Sequence, residues 1–311
     1  MENEVKNEQG KPLVLITGAA GLLGRYLVRE MRKAGYPVRG FDLRKGSEDC
    51  DWAVGDVTSG ADVSAAMKGV GKVIHAAARA NIWQGTGEEI LQTNVMGTWQ
   101  VYEAARREGV HNLVFCSSDS TVGYTVREGA MVPPRYMPVD TSHPLQATDP
   151  YALSKILGED IARSFCHWGM STVALRTVFV AYPEMEGEIR ARHADPENYK
   201  GTPAGGPSSA GGGVFYNYID PRDLARAFRL ALEFELPPGA FRPFFLSSGE
   251  TFAPEPTVDR ARRLHGDGIE VRDPALYERS PYAGLYDTAE AARDLGFVAE
   301  HSLRHIINGG A

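Results

Sequence analysis

The sequence predicts an α/β fold, a doubly wound parallel sheet with a smaller, less regular C-terminal lobe. Two observations carry that expectation. From Pro12 onward, apolar runs of strand length alternate with stretches of helical period, the pattern of parallel strands covered by helices on both faces. After Pro183 the alternation gives way to a charged stretch, a glycine-rich segment and short elements punctuated by Pro and Gly. With 311 residues, 43% of them hydrophobic and 23% charged, the chain can bury a large core and lacks the composition of a disordered protein.

Taken in order, residues 1–10 read as a flexible tail, and LVLIT after Pro12 as a buried strand. A helix follows through Leu22, Leu23, Tyr26, Leu27 and Met31, closing at Ala34-Gly35. Residues 38–42 (VRGFD) and 52–56 (WAVGD) read as strands, 61–68 as a helix and 72–78 (KVIHAAA) as an apolar strand. A long helix is expected over 86–108 and a strand over 112–118 (NLVFCSS). Residues 119–148 are Pro-rich and aperiodic, a connection over the sheet edge. A helix over 150–167 and a strand over 171–176 (STVALR) complete this part. Beyond it lie a charged stretch (184–200), the flexible GTPAGGPSSAGGG (201–213), a strand-like VFYNYID (214–220) and helices over 223–234 and 301–308.

Charge and cysteine usage exclude several classes of function. Lys plus Arg number 33 against 40 Asp plus Glu, a net charge of −7 with no basic stripe, so no nucleic-acid or anionic-membrane partner is expected. Cys50, Cys116 and Cys166 have neither metal-ligand spacing nor the even count of a disulfide framework, which fits a reducing cytoplasm and no metal. The polar N-terminus lacks the apolar core of a signal peptide, and no run approaches the ~20 apolar residues of a membrane span. A soluble cytoplasmic protein is expected.

The turn between the first strand and first helix is Thr17-Gly18-Ala19-Ala20-Gly21-Leu22-Leu23-Gly24. Glycines at 18, 21 and 24 allow a tight turn, close approach of a pyrophosphate and tight helix–strand packing. The helix start at Leu22 and Leu23 then offers free N–H groups to phosphates. Asp42 ends the second strand, where a carboxylate binds the adenosine ribose hydroxyls and repels a 2′-phosphate. The cofactor expected is NAD rather than NADP, although Arg25 and Arg44 stand near enough to host a phosphate. Residues 11–183 thus read as a Rossmann-type dinucleotide-binding domain and 184–311 mainly as a substrate-binding lobe, some of whose segments return to the sheet.

Tyr151 and Lys155 sit four apart at the start of a helix, on one face beside the stripe Leu153, Ile156, Leu157, Ile161 and Phe165. An ammonium beside a phenol favours its ionised form, drawing a pKa of about 10 towards neutrality. Such a tyrosine can take or return an alcohol proton while hydride moves to or from nicotinamide. The strand before it ends in Cys116-Ser117-Ser118, at the end where open α/β sheets place ligands, so Ser118 is a candidate to hydrogen-bond the reacting oxygen.

These segments resemble the extended short-chain dehydrogenases/reductases of the NAD-dependent epimerase/dehydratase family. The resemblance rests on TGAAGLLG (17–24), Asp42, Gly-Asp-Val (55–57), His-Ala-Ala-Ala (75–78), Thr-Asn-Val (93–95), Ser-Ser (117–118) and Tyr-Ala-Leu-Ser-Lys (151–155), in family order over residues 12–183. It implies Ser118, Tyr151 and Lys155 as catalytic residues with Asn94 in support. It also implies Asp56 and Val57 beside the adenine, Ala76, Ala77 and Ala78 along the cofactor channel, and a homodimer built through the helices at 86–108 and 150–167. Tyr151 and Lys155 would also hold the nicotinamide ribose.

Within the family, residues 17–25, 90–109 and 117–124 look most like uronate dehydrogenases. Those enzymes carry Asn-His after the catalytic serine, where this chain has Asp119-Ser120, and an aspartate there should repel a carboxylate. Epimerases of nucleotide sugars usually carry an asparagine three residues after the arginine of the sixth strand; here Arg176 is followed by Thr177, Val178 and Phe179. In the lobe, Arg190, Arg192, His193 and Arg222 can meet an anionic substrate group or stand solvated. The segment 201–213 can be a lid or a surface insertion. Phe215, Tyr216 and Tyr218 read as core and edge, and His75 as part of its strand. The function expected is NAD-dependent oxidation or reduction of a small sugar-like or polyol substrate. The alternative is a nucleotide-sugar epimerase or dehydratase with tightly bound NAD, and a non-catalytic NAD-binding module is a third, opposed by the intact serine, tyrosine and lysine.

Overall fold

A computed structural model describes residues 5–8, 10–81, 83–123, 132–196 and 215–307. Seven strands form the main sheet: β1 (Val14–Thr17), β2 (Val38–Asp42), β3 (Asp51–Val54), β4 (Lys72–His75), β5 (Asn112–Ser118), β6 (Ser171–Thr177) and β7 (Phe241–Leu246). They lie in the order β7-β6-β5-β4-β1-β2-β3, each pair parallel. This is a Rossmann-type doubly wound sheet. Its strand order reverses between β1 and β4, where such sheets open a crevice at their C-terminal ends.

The helices are α1 (Leu22–Lys33), α2 (Gly60–Met67), α3 (Gly87–Leu91), α4 (Gly97–Arg107), α5 (Pro150–Cys166), α6 (Glu186–Ala194) and α7 (Pro221–Glu233). Alternation along β1 sends Val14 and Ile16 to one face, where they meet Leu27, Met31, Leu224 and Phe228 of α1 and α7. Leu15 faces the other way, towards Val63, Val101, Tyr102 and Phe165 of α2, α4 and α5. Burial of both faces explains why β1 is apolar without a break, each large side chain contributing roughly 1.5–3 kcal/mol.

Several elements differ from the sequence expectation. The helix expected over 86–108 is broken by a π-helical turn at Gln92–Met96, between α3 and α4. Such a turn widens the helix by one residue, a feature invisible to a 3.6-residue period. The 119–148 connection contains a 3₁₀ turn at Asp119–Val122, and Tyr136–Met137 pairs with Glu270–Val271. Of the expected strand at 214–220, Tyr218–Ile219 pairs with Phe179–Val180, and Asn217 makes an isolated antiparallel bridge with Thr251. The terminal helix is a single turn, Arg304–Ile307. Residues 5–8, expected in a flexible tail, are tied down: Val5 N donates to Gly69 O (2.9 Å) and Asn7 Nδ2 to Gly35 O (2.8 Å). The 201–213 segment lies outside the described residues.

Beyond residue 184, the chain returns β7 to the edge of the sheet and α7 onto α1. A small separate cluster, including Met185, Ile189, Tyr218 and Phe252, forms the core of the remaining lobe. Among the described residues, no helix is long and apolar enough to cross a membrane.

Candidate active site

A cavity of about 1180 Å³ opens at the C-terminal ends of β1, β2, β4 and β5 and runs under the lobe. One end is built on the glycine turn. Gly18 adopts φ +73°, and a Cβ there would stand 2.8 Å from Ala77 N at the end of β4. A Cβ on Gly24 would stand 2.2 Å from Gly18 O, so only glycine lets α1 close on the turn. Helix α1 has no side-chain cap and no acidic residue in its first turn. Its N-terminus presents backbone donors and a positive dipole end to the cavity, as a pyrophosphate requires.

Gly18, Gly21, Leu22, Leu23 and Gly24 all line this end. Asp42 is aimed there by Ala20 N (3.0 Å) and Leu43 N (2.8 Å), both donating to its carboxylate. Asp56 and Val57 line the adjoining wall, with Asp56 Oδ1 accepting from Thr58 N and Oγ1, each at 2.8 Å. Ala76, Ala77 and Ala78 continue the wall at the end of β4.

A hydrogen-bond chain fixes the β1 and β4 ends. Thr98 Oγ1 donates to Asn94 O (2.6 Å), so it must accept from His75 Nε2 (3.0 Å). The Nδ1 atom is therefore left to accept from Thr17 Oγ1 at 2.8 Å. Thr17 Oγ1 in turn accepts from Ala76 N and Ala77 N. Burial, with the Lys155 charge adding to it, pushes the imidazole pKa down to about 3, so this bridge is neutral. His75 is a strut between strands.

At the other end of the cavity stand Ser118, Tyr151 and Lys155. Lys155 Nζ donates to Cys116 O (2.8 Å) and lies 5.6 Å from the centroid of the Tyr151 ring. The sequence suggested that this ammonium lowers the phenol. Instead burial dominates and holds Tyr151 above its ordinary pKa, Ser118 hydrogen bonding opposing it. The ammonium itself hydrogen-bonds a main-chain carbonyl. Burial also lowers the Lys155 pKa.

Asn94 does not reach the cavity wall. The π-turn directs its side chain to clamp the backbone of Arg79, with Oδ1 accepting from Arg79 N (2.7 Å) and Nδ2 donating to Arg79 O (3.1 Å). Its Nδ2 also donates to Ser154 Oγ (2.9 Å), which donates to Tyr151 O (2.7 Å). Expected in support of Ser118, Tyr151 and Lys155, Asn94 links the loop after β4 to α5 through these hydrogen bonds.

A second network lies beneath the serines. Glu159, 0% exposed, accepts from Ser117 Oγ (2.7 Å) and makes a bidentate pair with the buried Arg176 (2.9 and 2.8 Å). Its hydrogen bonds with Arg176 and Ser117 overcome burial and hold its pKa below the usual carboxylate range. The sequence did carry a signal for it, since Tyr151, Lys155 and Glu159 continue one i, i+4 stripe.

Of the candidate substrate residues, Asp119 lines the cavity. Its Oδ2 accepts from Tyr286 OH (2.9 Å) and its Oδ1 from Ser118 Oγ (3.3 Å). Burial raises its pKa to about 6, opposed by those hydrogen bonds. Ser120 is buried and does not line the cavity. Arg190 and Arg222 are also off the wall, paired along the surface with Glu186 (2.8 Å) and Asp220 (2.7 Å). Two residues beyond Arg190 on α6, Arg192 does reach it, paired with Glu188 at 2.8 Å. Phe215 and Tyr216, read from sequence as core and edge, line the cavity as well as being buried. Sequence reasoning missed Arg79, Trp83, Tyr182, Phe252 and Tyr286 on the wall.

A model of the NAD dependent epimerase/dehydratase family matches residues 14–242. A uronate dehydrogenase of Pseudomonas putida is 31% identical over 168 residues, 52% of this chain and 59% of that protein. One from Pseudomonas syringae is 32% identical over 180 residues, 55% of this chain and 60% of that protein. The chain thus spans about 60% of the length of these two curated relatives. A UDP-glucose 4-epimerase of Corynebacterium glutamicum is 26% identical along 94% of this chain and 93% of its own length. Among solved structures, a short-chain dehydrogenase/reductase superfamily protein from Agrobacterium tumefaciens with bound NAD matches at TM-score 0.69 and 26% identity, covering 96% of this chain and 95% of that one.

Proposed function

This chain belongs to the NAD-dependent epimerase/dehydratase family, and on that premise we propose that it oxidises or reduces the secondary alcohol or carbonyl of a small sugar-like or polyol substrate. The observation that carries this reading is the meeting of Ser118, Tyr151 and Lys155 on the same cavity as the glycine turn. The residues fit NAD. The Gly18–Gly24 turn would take the pyrophosphate, Asp42 the adenosine ribose, and Asp56 and Val57 the adenine. Ala76 to Ala78 would flank the channel, and Tyr151 and Lys155 would reach the nicotinamide ribose.

When bound, NAD accepts or supplies the hydride at the reacting carbon. In the oxidation direction, Ser118 Oγ hydrogen-bonds the substrate hydroxyl and Tyr151 takes its proton as general base. Lys155, on the same helix face and held against Cys116 O, would hold the nicotinamide ribose beside the tyrosine, and Ala76 to Ala78 line the adjoining wall. Reduction runs the same proton back from Tyr151 to the carbonyl oxygen.

Replacing Tyr151 by Phe is expected to lower turnover by about 10²–10⁴-fold, the range for loss of a general acid/base. NAD affinity, followed by titration, should change far less. Near wild-type turnover in Tyr151→Phe overturns the mechanism. The second reading, a nucleotide-sugar epimerase or dehydratase, draws on the similarity to UDP-glucose 4-epimerase along almost the whole chain. The stoichiometry separates them: a dehydrogenase releases NADH in proportion to product, whereas an epimerase converts substrate with no net NADH.

A homodimer built through α4 and α5 belongs to the same proposal. It is supported by large apolar side chains exposed there, Met96 just ahead of α4, Trp99 on it and Leu153 on α5. A cytoplasmic location is supported by Cys50, Cys116 and Cys166, all of them free thiols.

A further inference from the structure

Asp119 occupies a special position on the cavity wall. It follows Ser118 directly, and its Oδ1 lies 3.3 Å from Ser118 Oγ, the group assigned above to the reacting oxygen. An alcohol whose reacting oxygen met Ser118 would bring a substituent on its neighbouring carbon towards this carboxylate oxygen. Tyr286, arriving from 167 residues away in sequence, holds the other carboxylate oxygen at 2.9 Å and stops the side chain from turning out of the cavity.

The positive charges of the same region are already engaged. Among the described residues, the cations on the cavity wall beyond the cofactor end and Lys155 are Arg79 and Arg192. Arg192 is paired with Glu188 at 2.8 Å, with both side chains largely buried. Arg79 lies 3.7 Å from Glu89, and its guanidinium also donates to Gln84 O and Thr93 Oγ1. A substrate anion would have to compete with a resident carboxylate for either one. The remaining wall is rich in rings: Phe179, Tyr182, Phe215, Tyr216 and Phe252. Phe179 stands three residues after Arg176, so an apolar ring occupies that stretch of the wall.

We infer that Asp119 is a specificity-determining residue, and that the site selects an uncharged alcohol bearing a hydrogen-bond donor on the carbon next to the reacting one, with an apolar or aromatic remainder. The inference rests on the oxidoreductase part of the reading above and narrows its substrate to one hydroxylated beside the reacting carbon but apolar beyond it. A vicinal hydroxyl donates to Asp119 while the reacting oxygen meets Ser118 and Tyr151. A carboxylate at that carbon meets Asp119 instead, and like charges that close are destabilising in a low-dielectric cavity. The ring wall then receives the rest of the molecule through apolar and edge-to-face contact.

Three matched benzylic alcohols test this directly: 1-phenylethane-1,2-diol, 1-phenylethanol and mandelate. They share the reacting carbon and ring, and differ in carrying a vicinal donor, a methyl group or a carboxylate. Binding to the NAD-saturated protein by calorimetry, and NADH formation, are measured for wild type and Asp119→Asn. In the wild type the diol should bind and react best and mandelate worst. A hydrogen bond to a charged group corresponds to a ratio of about tenfold or more between diol and 1-phenylethanol. In Asp119→Asn that ratio should shrink by about the same factor, and mandelate should gain relative to the diol.

Mandelate equal to the diol in the wild type, unchanged ratios in the variant, or no binding of any probe each overturns the inference. The two readings fail separately. Binding in the expected order with no NADH from any alcohol counts against the oxidoreductase and leaves the selectivity of Asp119 standing. Turnover lost in Tyr151→Phe but indifferent to the vicinal group does the reverse.

Discussion

The Asp119 carboxyl has a consequence for stability that is independent of any substrate. Its pKa rises from 3.8 to about 6 because folding takes the carboxylate out of water. The folded chain therefore holds this proton at pH values where the unfolded chain has lost it. The contribution to stability is best below the unfolded pKa and declines as pH rises through the folded one. At pH 8 the whole penalty is present, up to about 3 kcal/mol at 1.36 kcal/mol per unit. The groups that hydrogen-bond the carboxyl are the hydroxyls of Tyr286 and Ser118 and the backbone N–H groups of Ser120 and Asp119, with Tyr151 nearby; among the described residues no cation is one of them. Asp119→Asn should accordingly raise the melting temperature at pH 8, and the gain should shrink towards pH 4. A gain independent of pH in paired thermal unfolding curves counts against this account. Legibility at this scale followed distance along the chain. Tyr151 and Lys155 were readable because four residues of helix put them on one face whatever surrounds them. Arg192 could not be told from Arg190, because the sequence does not say which face of α6 turns inward. Tyr286 carried no local signal at all, since its role comes from a partner at Asp119.

At the scale of elements, α5, which carries Tyr151 and Lys155, is held from below. Glu159 on α5 links Ser117 at the end of β5 to Arg176 in β6, so one carboxylate ties the strand that carries Ser118 to the helix that carries Tyr151 and Lys155. Replacing Glu159 by Gln keeps the shape but leaves Arg176 buried without its counter-charge. The expected cost is about 3–5 kcal/mol, as for other buried pairs broken on one side. Denaturant unfolding measures it, and a loss under 1 kcal/mol would show that the pair is not what holds the two strands and the helix together. Because the pKa of Glu159 is lowered, its contribution is present above the unfolded carboxylate range and is lost as pH falls through the folded value. The elements themselves were legible wherever one periodicity ran unbroken, as in β1, β5, α5 and α7. The reading failed where geometry departs from the regular repeat. The π-turn at Gln92–Met96 has the composition of an ordinary helix, and it turns Asn94 from the site towards Arg79 and Ser154.

At the scale of the whole molecule, Met96, Trp99 and Leu153 leave apolar surface exposed near and along α4 and α5, which the proposed dimer would cover. Trp99 is 40% exposed although it packs edge-on against Phe165. Trp99→Glu should convert a dimer to a monomer in sedimentation equilibrium, with little change in the secondary structure of each subunit. A wild type that sediments as a monomer overturns the proposed assembly. By itself the sequence determined the parallel α/β architecture, the nucleotide turn and the Tyr151–Lys155 pair. Each depends on neighbours within a few residues, where backbone geometry dictates what can meet. Only the tertiary structure decided what lines the cavity: Asp119 under Tyr286, Arg192 paired with Glu188, and a wall of rings from Phe179 to Phe252. Those contacts join segments far apart in the chain, and a carboxylate's preference for donor or cation depends on burial and on partners that folding alone assembles.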